Sequence, residues 1–172
     1  MNQNESLLPL TIAVLTVSDT RTEADDKSGK ILVENLTTAG HFLAEKTIVP
    51  DNIYQIRAVI SKWVAEPSVQ VILTTGGTGV TGRDGTPEAI KPLLDKEIEG
   101  FGEIFRIISY QEIKTATIQS RTLAGVANGT YIFCLPGSSG ACQTGWSIVE
   151  DQLDSRHRPC NLAQLIPRLT ET

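Results

Sequence analysis

A carboxylate a few residues behind a glycine-rich turn is suited to phosphate chemistry, and residues 71–89, VILTTGGTGVTGRDGTPEA, carry that arrangement. Thr75, Gly76, Gly77, Thr78 and Gly79 form the turn. Glycine lets a ligand approach the backbone, whose N–H groups can hold a phosphate or a carboxylate. Asp84 follows, where it could hold Mg²⁺ on that phosphate, cap a helix or remain a surface charge. Arg83 beside it faces phosphate or solvent. The spacing GGTGVTG is not the GxGxxG of dinucleotide folds, and no GK[ST] follows it as in a Walker A loop.

Other residues could extend the site. Asp51 lies in a Pro-Asp-Asn turn and offers a second carboxylate. Two carboxylates on neighbouring strand ends could share one Mg²⁺ and orient an oxygen nucleophile. Ser18 and Asp19 end an apolar run, and Ser28 and Gly29 lie in the polar stretch behind it. The four acidic residues between positions 19 and 26 mark either a solvated loop or a ligand contact. Arg121, next to Ser120, could clamp a phosphate bidentately or sit on a helix surface. Pro136, Gly137 and Ser138 open a second small-residue loop able to hold another anionic group. Two such loops at one edge suggest a long substrate carrying phosphates. Cys142 stands near a helix start that favours a thiolate, but reads as a helix residue rather than a nucleophile.

The elements that must position these residues follow from hydrophobic pattern. Apolar, β-branched runs at 11–17, 41–49, 69–74 and 129–135 read as strands. Segments 31–39, 53–65, 87–94, 98–109, 115–127 and 141–153 read as helices, and 18–30 as a loop. The alternation predicts a three-layer α/β/α sandwich on a mostly parallel sheet, with ligands at the C-terminal strand ends. Residues 1–9 are expected to be a flexible N-terminus before a single domain, 10–172.

Composition narrows the function. The net charge is −5 and no lysine- or arginine-dense tract offers a phosphate track, which argues against broad nucleic-acid binding. Three cysteines without a CxxC pair and two histidines weigh against a disulfide scaffold and a zinc site. GxSxG is absent, and no serine, aspartate and histidine line up as a hydrolase triad. No apolar segment is long enough to span a membrane and the N-terminus lacks a basic signal-peptide start, so a cytoplasmic protein is expected.

Taken together, LTVSD at 15–19, D-x-SG at 26–29, AGH at 39–41, PD at 50–51 and LTTGGTG at 73–79 resemble the MoaB/MogA family of molybdenum cofactor biosynthesis. RD at 83–84, TPEA at 86–89, EGFGEIFR at 99–106, SR at 120–121, AGVANGT at 124–130, LPGS at 135–138 and RPCN at 158–161 extend the resemblance over nearly the whole chain, on the side of bacterial MoaB. The resemblance implies a molybdopterin-binding fold and Mg²⁺-dependent adenylylation of molybdopterin by ATP, with release of pyrophosphate. The alternative within the family is a non-catalytic molybdopterin carrier. It also implies Asp51 and Asp84 as the catalytic and metal carboxylates, and nucleotide phosphates on residues 75–79 and Arg83. The pterin is then expected near Ser18, Asp19, Ser28, Gly29, Ser120, Arg121 and the 136–138 loop. A homotrimer or a hexamer of two trimers is implied, with molybdopterin synthase and the molybdenum-inserting protein as transfer partners. Gly82 and Gly85 depart from the adenylyltransferase branch and are expected to loosen the loop.

Overall fold

The computed structural model describes residues 6–171. Its sheet has six strands in the order β2-β1-β3-β6-β5-β4. These are β1 (Thr11–Val17), β2 (Phe42–Val49), β3 (Val71–Thr75), β4 (Lys96–Glu97), β5 (Leu123–Ala127) and β6 (Thr130–Leu135). The β2-β1-β3-β6 portion is parallel, while β5 runs antiparallel to β6 and β4 antiparallel to β5.

Side-chain alternation along β1 divides the interior in two. Ile12 and Val14 point to a cluster with Leu32 and Leu36 of α1 (Lys27–Thr38), Phe101 and Phe105 of α4 (Glu99–Ile113), and Trp146 of α5 (Ser139–Leu153). Ala13, Leu15 and Val17 point the other way, onto Ile56, Ile60 and Trp63 of α2 (Ile53–Val64) and Ala89 and Ile90 of α3 (Thr86–Ile90). Helices thus cover both faces of a mostly parallel sheet, the sandwich predicted from the alternation.

Three helix starts lie beside the crevice, each with its own cap. Asp26 accepts from the Gly29 amide, Asn52 from the Tyr54 and Gln55 amides, and Ser138 from the Ala141 amide. Among the described residues no side chain caps α3: Asp84 does not, and the Thr86 hydroxyl donates to the Gly76 carbonyl at 2.9 Å.

Two expectations need correction. Residues 115–127 are not a helix. A 3₁₀ turn, Lys114–Gln119, leads into β5, whose five residues are all buried. Asn128 and Gly129, with φ of 46° and 80°, turn the chain directly into β6. A two-residue Asn-Gly link is the turn that matches the twist of a hairpin, and it outweighs the helical reading of the small residues before it. The loop predicted for 18–30 ends early, because Asp26 starts α1 at Lys27 and places Ser28 and Gly29 in its first turn. Of the expected flexible stretch 1–9, residues 1–5 lie outside the described residues, and the Leu8 amide donates to Ser155 Oγ at 2.9 Å. Among the described residues no helix is long and apolar enough to cross a membrane.

Candidate functional site

The chain steps to one side of β1 to form β2 and to the other to form β3. At that reversal the loops leaving the C-terminal ends of two parallel neighbours diverge and open a crevice. A cleft of about 490 Å³ lies there, walled by the loops after β1, β3 and β6.

The glycine loop is shaped by steric demand. Gly76 has φ +104°, and a Cβ there would lie 2.1 Å from the Val17 carbonyl oxygen. Gly77 has φ +65°, and its Cβ would meet Thr86 Oγ1 at 2.3 Å and Asp51 Oδ2 at 2.6 Å. Both positions therefore require glycine. The second loop is attached to the first: the Gly76 amide donates to the Leu135 carbonyl at 3.0 Å, and Thr75 Oγ1 donates to the Pro136 carbonyl at 3.0 Å.

Most predicted site residues converge here. Ser18, Ser28, Thr75, Gly76, Gly77, Thr78, Gly79, Asp84, Ser120, Pro136, Gly137 and Ser138 all line the cleft. Asp51, Arg83 and Arg121 line an adjoining depression that shares Asp84 with it. Gly29 and Asp19 line neither. Gly29 packs against the buried Asp26 carboxylate and Thr16. Asp19 forms an exposed pair with Arg83, its Oδ1 2.6 Å from Arg83 Nη2, and also accepts from the Asp51 amide at 3.0 Å.

Arg121 is spent on the loop itself. Its guanidinium donates to the Gly79 carbonyl at 2.6 Å, to the Asp84 carbonyl at 3.0 Å, and to Glu88. That fork fixes the end of the glycine loop against the turn that carries Asp84.

The two carboxylates differ in electrostatics. The Thr81 hydroxyl, 2.6 Å from Asp84 Oδ2, holds the Asp84 carboxyl below its usual range, helped by the Thr81 and Gly79 amides and the Arg121 charge. Asp51 is pushed the other way, by burial and by the nearby charges of Asp84 and Asp19, against a bond from the Gly85 amide. An anion raised by neighbouring anions is stabilised by a cation, so the pair suits a divalent ion with hard oxygen ligands. Among the described residues no group of three or more His, Cys, Asp and Glu is placed around a metal. Phosphate oxygens and water would have to complete the shell, as is usual for Mg²⁺. Of the two glycines that depart from the adenylyltransferase branch, Gly85 has little room for a side chain, a Cβ there lying 2.9 Å from Ile53 Cγ1, whereas one at Gly82 would meet nothing within 4 Å.

Sequence reasoning missed several residues of this region. Arg21 lines the cleft from the loop already assigned to the ligand edge and Thr16 from the C-terminal end of β1, so their place was available in principle. Glu112 and Thr117 also line it, from elements whose ends were misjudged, and Thr144 lines it from within the helix predicted for 141–153. Cys142 is fully buried, in contact with Thr75 Oγ1 at 3.1 Å, and burial pushes its thiol up to about 11, so it stays protonated.

Comparison with known proteins agrees with this geometry. Residues 13–155 match a family model described as "Probable molybdopterin binding domain". The chain is 55% identical over 155 residues to molybdenum cofactor biosynthesis protein B of Escherichia coli K12, covering 90% of this chain and 91% of that protein. It is 48% identical over 129 residues to the Bacillus subtilis protein of the same name, covering 74% and 76%. A crystal structure of molybdenum cofactor biosynthesis protein B superposes with a TM-score of 0.87 at 38% identity, over 98% of this chain and 100% of that one. The tungsten cofactor synthesizing protein MoaB of Pyrococcus furiosus follows at 0.78 and 38%, over 84% and 92%. With residues 13–155 matched by the family model and nearly the whole chain by these relatives and structures, the chain belongs to the MoaB/MogA molybdopterin-binding family of molybdenum cofactor biosynthesis, among relatives of the bacterial MoaB type.

Proposed function

We propose that the chain binds molybdopterin in the crevice between the glycine loop and the 136–138 loop, as a binding or carrier protein of molybdenum cofactor biosynthesis. The observation that carries this reading is the cleft itself: the residues that close around it belong to the stretch matched by the molybdopterin-binding family. The N-terminus of α5, capped by Ser138, and the amides of the glycine loop offer two separate anion sites, and among the described residues Arg21 adds the one cationic side chain of the cleft wall.

A second reading, adenylyl transfer, is favoured by the unlike pair Asp51 and Asp84. In it the terminal phosphate oxygen of molybdopterin attacks the α-phosphorus of ATP. A new P–O bond forms, the bond to the β-phosphate breaks, and pyrophosphate leaves. Mg²⁺, held by Asp51 and Asp84, would neutralise phosphate charge and align the in-line displacement. The chain's own part is to aim loop amides at oxygens that gain charge and to hold the loop rigid through Arg121 and Thr86.

The two readings separate in one experiment. Wild type and Asp84→Asn are titrated with molybdopterin, then given ATP and Mg²⁺, with adenylylated pterin followed by mass spectrometry. Tight binding without product supports the carrier. Product that falls by about 10²–10³ in Asp84→Asn supports the transferase. No binding of molybdopterin by wild type rejects both.

The resemblance to trimeric family members also leads us to propose self-association through α4. Phe101 and Phe105 face the core, whereas Ile104, Ile107, Tyr110 and Ile113 recur every third residue on its exposed side.

A further inference from the structure

The cleft has an end that neither phosphate binding nor metal binding uses. Part of its wall comes from the C-terminal half of α4, the 3₁₀ turn behind it and α5, through Ser109, Glu112, Thr117 and Thr144. Two groups there have hydrogen-bonding capacity that the described residues leave open. Thr117 is 6% exposed, and its buried hydroxyl has no hydrogen-bond partner among the described residues. Such orphans are uncommon because they lose hydration without replacement. Glu112 is exposed at the rim, and among the described residues its carboxylate receives only the Thr144 hydroxyl, at 3.4 and 3.2 Å from its two oxygens. Those contacts are long for an O–H···O bond, and a carboxylate has about four acceptor positions, so most of its capacity is open.

A carboxylate with both oxygens open is the natural partner of two parallel N–H donors. A flat ring carrying such donors would find apolar walls in Phe105, Ile113 and Ala116. The 2-amino-4-oxo edge of a pterin has this pattern: the exocyclic amino group and the ring N3–H point the same way, and O4 stands beside them as an acceptor. We infer that Glu112 recognises the amino edge of the pterin, that the Thr117 hydroxyl supplies the neighbouring bond, and that this pair makes the cleft select 2-amino over 2-oxo rings. The inference rests on the molybdopterin-binding reading and adds the groups that set its specificity. A 2-oxo ring would place a carbonyl oxygen against the Glu112 carboxylate, an acceptor facing an acceptor.

The test uses wild type, Glu112→Gln and Thr117→Val. Each is titrated with molybdopterin, and the bound ligand is then competed with pterin and with lumazine, its 2-oxo counterpart. Wild type should release molybdopterin to pterin more readily than to lumazine. Glu112→Gln should bind molybdopterin about tenfold more weakly and lose the preference between the two competitors. Thr117→Val should weaken binding several-fold without lowering the melting temperature, since it removes an unpaired hydroxyl. Wild-type affinity and an unchanged preference in Glu112→Gln would overturn the assignment while leaving molybdopterin binding intact. Failure of the wild-type protein to bind molybdopterin would instead reject the underlying reading, and this inference with it.

Discussion

Asp51 and Asp26 are both shielded carboxylates with opposite consequences for stability. Asp51 has its proton affinity raised by burial and by Asp84 and Asp19, so its ionised form is disfavoured in the fold. That penalty sets in as pH rises above the ordinary carboxylate value of 3.8 and is complete once the raised folded value is passed. Asp51→Asn keeps an acceptor for the Gly85 amide and removes the charge. Solvent screening keeps the gain small, so the melting temperature at pH 7 should rise by about 2 °C or less, and not at pH 3. Any adenylyl transfer should be lost; a thermal scan paired with the product assay checks both halves. For Asp26, burial pushes the carboxyl up, but Lys46, the Gly29 amide and Thr16 outweigh it and leave the group below its usual range. Its carboxylate lies 2.8 Å from Lys46 Nζ and is fully shielded from solvent. Asp26→Ala removes the α1 cap and leaves the Lys46 ammonium paired with the exposed Glu23 alone, and should cost about 2–3 kcal/mol in chemical denaturation. The wild-type contribution is whole above pH 3.8 and disappears as pH falls through the lowered folded value. Little of this was legible: the acidic stretch 19–26 reads as one solvated loop, yet Asp19 pairs with Arg83, Asp25 accepts from Thr22, and Asp26 is interior. Position in sequence does not reveal which of several like charges a distant lysine will reach.

At the level of elements, pattern and outcome agree where burial is two-sided. The apolar runs that became β1, β3 and β6 could hardly be anything else, since each is covered on both faces. Disagreement falls where local propensity and a turn compete. LAGVA at 123–127 has a helical composition, but the Asn128–Gly129 pair behind it commits the segment to a hairpin. That signal stood in the sequence and was outvoted by the small residues. The hairpin matters for the site, because β5 begins just after Arg121, which holds the glycine loop. Gly129 sits at φ +80° with Thr170 Cγ2 3.0 Å from where a Cβ would be. Gly129→Ala should therefore destabilise the protein by about 1–2 kcal/mol, read as a lower denaturation midpoint with an unchanged slope.

For the whole molecule, the crevice at the chain reversal was the best anticipated feature, because alternation of strands and helices dictates it before any motif is considered. The far wall was not, since its residues come from the end of α4 and a 3₁₀ turn, whose boundaries carry weak signals. Assembly also belongs to this scale. If the exposed side of α4 is an interface, Ile107, 61% exposed, is a contact rather than a solvated side chain. Ile107→Glu should lower the mass seen by light scattering to that of one chain while leaving the circular dichroism unchanged; a monomeric wild type at micromolar concentration rejects the interface. The division of the interior has an optical consequence. Trp63 lies in the cluster beneath α2 and Trp146 in the opposite cluster beneath α5, and neither lines the cleft. Each layer thus contains its own fluorophore outside the cleft wall. Emission from single-tryptophan variants would reveal whether the two sides of the sheet come apart together or in sequence.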